Sequence, residues 1–332
     1  MLFQNAKHPL EMKVTHLNKV KAQRKQQLQL QMVNDKGLIS LISRALTDLT
    51  KKDNPKKTPA KFGLFKNKPA NKNCFVLDFH GDIKATEVQQ LREEISTLLT
   101  VAQAEDEVIV RLESSGGMVH AYGLAAAQLA RIKEAGLNLT VCIDKVAASG
   151  GYMMACVADK ILAAPFAVVG SIGVVAQVPN FHDLLEKHDI DVEVFTAGKY
   201  KRTVTVFGEN TEEDKQKFQQ ELEETHKLFK DFVRKYRPSL DVEQVATGEH
   251  WYGEDAITRN LVDALQTSDS YILEKMTDSE LYAIQSRQKP TIAQKLGISQ
   301  AAQAVVATAI DKLPDALAKL ESAKMPMVKK SP

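Results

Sequence analysis

Apolar residues along the middle of the chain follow two periodicities. Short apolar runs at residues 74–79, 108–112, 139–143 and 160–164 predict buried strands, and the stretches between them carry apolar residues at helical spacing. A chain that alternates strand and helix in this way forms right-handed crossovers and a parallel sheet. We therefore expect an α/β fold whose binding loops follow the carboxyl ends of the strands.

The pattern changes toward both ends. Residues 1–73 are basic and polar, with a polar helix predicted at 14–32 and a flexible linker, rich in lysine, proline and asparagine, at 51–72. Residues 291–332 are rich in alanine, leucine and lysine at helical spacing, which predicts a C-terminal helical tail. The central domain is then expected to cover residues 74–290.

Composition excludes several classes of protein. With 332 residues and 44% apolar content the chain can bury a core, and a net charge of +2 does not favour a nucleic-acid partner. Three cysteines without C-x-x-C spacing predict neither a disulfide framework nor a metal site, and no cofactor motif is present. The sequence contains neither an apolar run of about 18 residues nor the pattern of a signal peptide.

The apolar run at 140–148 breaks at Ser149, Gly150 and Gly151 and resumes at helical spacing. A strand that turns through glycines into a helix leaves the turn hydroxyl open, beside the unpaired amides of the helix start. This is a suitable setting for a nucleophile, although Ala147 replaces the first glycine of the lipase-type elbow. The simpler interpretation is a serine that caps a buried helix.

A second strand, at 108–112, runs into the glycine pair Gly116 and Gly117. Glycines allow backbone amides to come close to a ligand oxygen, which a Cβ atom would obstruct. Two such amides can form an oxyanion hole.

The third stretch, residues 192–207, consists of two strand-like runs around Gly198 that carry Lys199, Lys201 and Arg202. A lysine can act as a base only where an apolar, water-poor setting lowers its pKa from about 10.4 toward neutrality. Strand alternation favours Lys201, because it lies on the face opposite its two neighbours. The alternative is that all three cations form a solvated strand edge.

Four ordered blocks carry a family resemblance: Glu-Ser-Ser-Gly-Gly at 113–117, Val-Ala-Ala-Ser-Gly-Gly-Tyr at 146–152, Val-Gly-Ser-Ile-Gly-Val at 169–174 and Gly-Lys-Tyr-Lys at 198–201. They resemble the signal-peptide-peptidase family of Ser-Lys proteases, in particular its SohB-like branch. The resemblance covers residues 74–265, approximately. It implies a crotonase/Clp-like ββα superhelix with a parallel sheet.

Carried over by position, the resemblance implies Ser149 as the nucleophile, Lys201 as the general base and Ser171 as the residue that orients the lysine. It implies oxyanion donors among the backbone N–H groups of Gly116, Gly117 and Gly150. One departure is Ser115, where the family usually has a proline that would fix φ before the turn. Because related Clp-type proteases use histidine, His120 and His182 are rival bases.

The resemblance implies a serine endopeptidase that hydrolyses extended peptides, such as signal peptides or membrane-derived fragments, within a homo-oligomeric ring. It also implies a bacterial inner-membrane protein with a periplasmic catalytic domain. An N-terminal anchor is expected to have been removed from this form or to be absent from it. The basic arm at residues 1–73 is expected either to contact a membrane surface or to remain a solvated tether. Two alternatives on the same fold are a crotonase-like acyl-CoA enzyme and a non-catalytic scaffold.

Overall fold

Ten strands form one sheet in the described part of the chain, residues 10–32 and 72–288 of a computed structural model. In chain order they are β1 (Leu10–His16), β2 (Lys72–Gly81), β3 (Glu107–Ser114), β4 (Asn138–Ile143), β5 (Val146–Ala148), β6 (Lys160–Ala163), β7 (Val168–Gly170), β8 (His250–Tyr252), β9 (Ala264–Leu265) and β10 (Ser279–Gln288). The main path has the spatial order β1-β10-β2-β3-β4-β6-β9. From β10 to β9 every neighbouring pair is parallel, which confirms the expected α/β class with a parallel sheet.

Strands β5, β7 and β8 leave the main path and form a branch of the same sheet, joined to it where β5 pairs with β3; we call this branch the small sheet. Strand β4 joins the main sheet and β5 joins the small one, and β6 and β7 repeat this division. β7 pairs with β8 antiparallel. The consecutive pairs β4–β5 and β6–β7 thus each contribute one strand to the main path and one to the small sheet, which is the arrangement that the ββα expectation describes.

Helices follow the strands at the spacing that the sequence predicts. They are α1 (Leu17–Met32), α2 (Val88–Leu98), α3 (Val119–Glu134), α4 (Gly150–Ala155), α5 (His182–Glu186), α6 (Glu212–Tyr236), α7 (Val242–Val245), α8 (Gly253–Thr258) and α9 (Ser268–Lys275). The polar helix expected at 14–32 begins at Leu17, because the residues before it belong to β1. None of the helices in the described ranges is long and apolar enough to cross a bilayer.

The sheet is buried on both faces. Along β2, Phe75 and Leu77 belong to the larger apolar cluster, whereas Cys74 and Val76 belong to a smaller cluster that includes Ile272 of α9. Successive side chains of a strand point to opposite faces. A parallel strand covered on both sides therefore reads as a continuous apolar run, which is why residues 74–79 were recognisable in the sequence.

The chain divides into two compact units, residues 12–286 and the terminal residues 1–11 with 287–332. Of the second unit the structure describes residues 10, 11, 287 and 288. Except for residue 72, the expected linker at 51–72 lies outside the described residues, as does the expected tail at 291–332. The domain boundaries stay predictions.

The two strands expected at 192–207 are absent from the structure. These residues form turns and bends without sheet pairing, and most of them are exposed. None of the described strands pairs with them, so their β-type composition has no partner edge there. The alternation argument that favoured Lys201 over its neighbours therefore has no structural basis within the chain.

A partly buried ion pair connects the end of α6 to the bend that precedes β9. Two nitrogens of the Arg237 guanidinium donate to the Asp263 carboxylate at 2.9 and 2.8 Å, and the Ile161 amide donates to the same carboxylate at 2.7 Å. The Arg237 side chain is only 7% exposed. Removal of the carboxylate charge would leave a cation without its counter-charge in the interior.

We expect Asp263→Asn to lower the free energy of unfolding by about 3 kcal/mol, measured by urea denaturation. Asp231→Asn is the matched control, because its ion pair with Arg234 on α6 is exposed. Such surface pairs contribute less than about 1 kcal/mol. Equal midpoints for the two variants would contradict the prediction.

Candidate active site

Three strand ends meet where the small sheet joins β3. The register places Ser114 beside Ala147 and Ala148 beside Gly170. The residues that follow these ends line one cavity of about 580 Å³. The polar and glycine residues of its lining are Ser115, Gly116, Gly117, Ser149, Ser171, Gly173, His226, Thr247 and Gly248. The structure thus brings Ser149, Ser171 and the glycine turn together, as the sequence predicted.

Ser149 has a backbone conformation that non-glycine residues rarely adopt, with φ 53° and ψ −119°. Its amide donates to the Gly170 carbonyl at 2.8 Å, and its carbonyl accepts from Met153 at 2.9 Å. Such a conformation costs about 1–3 kcal/mol and persists only where the surroundings impose it. Although Ser149 stands at the start of α4, its side chain makes no capping hydrogen bond, so the hydroxyl is free for chemistry in the cavity.

Close packing beneath the serine requires glycine at two positions. A Cβ atom on Gly116, whose φ is 92°, would lie 2.7 Å from the Gly150 nitrogen. A Cβ atom on Gly150 would lie 2.4 Å from the Tyr122 ring. A side chain at Gly116 would push the glycine turn away from the serine turn, and a side chain at Gly150 would displace Tyr122.

The three predicted oxyanion donors differ in availability. The Gly116 amide donates to Ser114 Oγ at 3.0 Å and is therefore already engaged. The Gly117 and Gly150 amides make no hydrogen bond within the described residues, so they remain the candidate oxyanion donors. Sequence alone could not separate them, because the partner of Gly116 is a side chain that folds back from the preceding strand.

A hydrogen-bond network holds the glycine turn at Gly116 in place. This turn follows Ser115, at the position where the family resemblance leads one to expect proline. Ser114 Oγ lies 2.5 Å from Tyr122 Oη, and the Tyr122 hydroxyl donates to the Asp82 carbonyl at 2.7 Å. Burial raises the pKa of Tyr122, so the hydroxyl keeps the proton that it donates. Since Ser114 also accepts from Gly116, the network connects α3 to the glycine turn.

We expect Tyr122→Phe to slow peptide hydrolysis about tenfold, because the glycine turn loses its brace and small displacements at a site reduce rates. The free energy of unfolding should fall by about 1–2 kcal/mol, since Asp82 loses a buried donor. Tyr236→Phe is the control, because the Tyr236 ring packs on Phe232 while its hydroxyl bonds to no described residue. A normal rate in Tyr122→Phe would show that the brace does not matter.

Lys201 does not line the cavity of its own chain. It is exposed, and its ammonium group makes no hydrogen bond or ion pair with the described residues; only its backbone amide is bonded, to Gly198 at 3.1 Å. Lys199 pairs with Glu213 at 2.7 Å, and this carboxylate raises the pKa of Lys199, which keeps its proton. The pairing of Ser149 with Lys201 therefore stays a prediction.

The rival histidines do not line the cavity either. His120 is exposed on α3, and His182 begins α5. The histidine that does line the cavity is His226 of α6, which the sequence reading missed. The buried residues Phe229 and Val233 follow it by three and seven positions, and residues at this spacing share one helix face. This spacing could have indicated from the sequence that His226 points toward the core side of the helix.

Two family models match the chain. The model described as peptidase family S49 matches residues 131–282, and the model described as peptidase family S49 N-terminal matches residues 2–129. The first range contains Ser149, Ser171 and Lys201, and the second contains the glycine turn.

Curated relatives give the same result. The chain is 65% identical over 223 residues to a probable protease SohB of Haemophilus influenzae, covering 67% of this chain and 63% of the relative. It is 51% identical over 252 residues to a probable protease SohB of Buchnera aphidicola from Schlechtendalia chinensis, covering 73% and 83%. The chain thus spans just under two thirds of the length of the first of these relatives.

Among solved structures, a 1510-N membrane-bound stomatin-specific protease in complex with a substrate peptide superposes with a TM-score of 0.41 at 13% identity. The superposition covers 69% of this chain and 97% of that one. This similarity is too distant to bear on the site.

Proposed function

The chain belongs to peptidase family S49, and from that premise we propose that it is a serine endopeptidase with Ser149 as nucleophile and Lys201 as general base. One observation carries the proposal. The Ser149 hydroxyl is free of any capping role in a strained turn, and it faces a cavity beside the unbonded amides of Gly117 and Gly150. A nucleophile beside two fixed donors is the arrangement that acyl transfer requires.

In the proposed mechanism, neutral Lys201 takes the proton of Ser149 while the serine oxygen attacks the peptide carbonyl carbon. The negative charge that develops on the carbonyl oxygen is stabilised by the amides of Gly117 and Gly150. Collapse of this intermediate breaks the C–N bond, and the departing amine takes the proton from the lysine. A water molecule that gives its proton to the same lysine then attacks the acyl carbon. The bond from this carbon to Ser149 Oγ breaks, and the lysine returns the proton to the serine oxygen.

Since Lys201 lies outside the cavity of its own chain, we propose that a second copy supplies it. Segment 174–207 exposes an unusual number of large apolar side chains, which favours a role as a subunit contact. They are Val175, Val178, Phe181, Leu184, Ile190, Val192, Val194, Phe195, Tyr200 and Phe207. This supports the homo-oligomeric ring that the resemblance implies, and burial in such a contact would give the lysine the dry setting that a base requires.

The proposed substrates are extended peptides with apolar or small side chains, such as signal peptides or membrane-derived fragments. Val119, Val174 and Val175 contribute an apolar part of the cavity lining that suits such side chains. Among the described residues, none that lines the cavity carries a carboxylate, which disfavours the acyl-CoA alternative, because that chemistry needs an acid/base residue.

A membrane location with a periplasmic catalytic domain is also part of the proposal. Helix α1 carries Lys19, Lys21, Arg24 and Lys25, all in a segment without buried residues. Basic residues of this kind are attracted to anionic lipid headgroups. Binding to vesicles that contain anionic lipid, but not to neutral ones, would support this role.

The test of the proposed activity is covalent labelling with a fluorophosphonate probe. An activated serine forms an Oγ–P bond and releases fluoride, and mass spectrometry of the digested protein then identifies the modified residue. We expect the adduct on Ser149 in the wild-type protein. An adduct on no residue, together with no cleavage of apolar peptides, would favour the non-catalytic scaffold.

A further inference from the structure

Three hydrogen bonds from three separate parts of the chain hold residues 170–172, the segment that adjoins Ser149 and contributes Ser171 to the cavity lining. The Ser149 amide donates to the Gly170 carbonyl at 2.8 Å, and the Ser171 amide donates to the Glu249 carbonyl at 2.6 Å. The third bond joins His226 Nε2 to the Ile172 carbonyl at 3.2 Å. Two of these bonds are between backbone groups, so His226 provides the only side chain among the three.

The Ile172 side chain is buried in the main core, and the three hydrogen bonds fix the backbone on either side of it. Strand β7 ends at Gly170, whose φ is 101°, and Ser171 follows with φ 51°. Two successive left-handed residues do not continue a strand and are strained at the serine. Beyond Ile172, residues 173–180 have no regular structure that could hold the segment from the other side.

His226 projects from an element that is itself fixed. On the same face of α6, Phe229 and Val233 are buried in the main core, and Thr211 and Asp214 form a capping box at the start of the helix. A carbonyl oxygen can only accept, so the bond to Ile172 requires the proton on Nε2 of the imidazole. This arrangement joins a rigid helix to the strained segment that carries Ser171.

We propose that His226 is a positioning residue that holds Ser171 and the adjoining cavity lining in the geometry needed for attack by Ser149. This role rests on the proposed peptidase function. The imidazole acts through the Ile172 carbonyl, and proton transfer to or from the substrate is not part of the role. Glutamine can replace it in principle, since its side-chain amide also offers a nitrogen donor.

The experiment uses the full chain as wild type, His226→Ala, His226→Gln and the control Lys227→Ala, which removes an exposed side chain from the next position of α6. Hydrogen exchange measured by mass spectrometry reports on residues 168–176, and the rate of fluorophosphonate labelling reports on Ser149. We expect His226→Ala to increase exchange in that segment and to slow labelling about tenfold, because a displaced segment misplaces the reacting groups. His226→Gln should recover most of both properties, and Lys227→Ala should match the wild type.

Unchanged exchange in His226→Ala would overturn the inference, even if the protein hydrolyses no peptide. The inference would also be overturned if the alanine and glutamine variants lost labelling equally while His226→Gln kept native exchange. That result would indicate that the imidazole carries a proton instead of holding the segment. Failure of the wild type to label at Ser149 would contradict the proposed function instead, and the exchange comparison would still decide whether His226 holds the segment.

Discussion

Ser149→Ala will abolish both peptide hydrolysis and fluorophosphonate labelling, with a loss of at least ~10⁴-fold in the rate. The Ser149 hydroxyl is the nucleophile of the proposed mechanism. Ser149 lines the cavity, and its side chain makes no capping hydrogen bond. Ser171 lines the same cavity, and its backbone amide donates to the Glu249 carbonyl. The proposed mechanism assigns it no role as a nucleophile. Release of peptide fragments, followed by mass spectrometry, measures the loss.

Ser149→Gly is the matched control, since it also lacks the hydroxyl but tolerates φ 53°. Both variants should be inactive, whereas the glycine variant should be more stable to urea than the alanine variant by about 1 kcal/mol. This difference separates the chemical role of the side chain from the strain of the backbone. Turnover by either purified variant would contradict the assignment, and equal stabilities would contradict the strain.

The sequence predicted those parts of the fold that depend on local pattern. Apolar runs such as 108–112 were recognisable because both faces of the sheet are covered. Convergence of the serine and glycine turns was also predictable. Parallel strands bring their carboxyl ends to one edge of the sheet, and the glycine motif and the serine motif each follow such a strand end.

The remaining details depend on contacts that no local pattern encodes. The engagement of the Gly116 amide with Ser114, and the brace formed by Tyr122, follow from how β3 and α3 lie against each other. His226 was missed because its charged neighbours on α6 indicated a solvent-exposed helix face. The prediction of strands at 192–207 was wrong, because β-type residues need a partner edge, and none of the described strands provides one.

An equal mixture of Ser149→Ala and Lys201→Ala proteins, unfolded and refolded together, will recover hydrolysis that neither variant has alone. The reason is that Lys201 is exposed and does not line the cavity of its own chain. In a mixed assembly, the Lys201→Ala copy retains the serine and the Ser149→Ala copy retains the lysine. Random pairing across a shared interface completes about a quarter of the sites, so we expect about a quarter of the wild-type rate.

Lys201→Arg provides the control for this experiment. Arginine retains the charge and most of the length of lysine, but it does not give up its proton, so it cannot act as the base. Lys201→Arg alone should therefore assemble but hydrolyse no peptide. Its mixture with Ser149→Ala should recover the same quarter of the wild-type rate as the alanine pair, because one copy supplies the serine and the other supplies the lysine. If mixed assemblies of wild-type mass recover no activity, Lys201 does not act across the subunit contact, and turnover by purified Lys201→Ala would exclude it as the base.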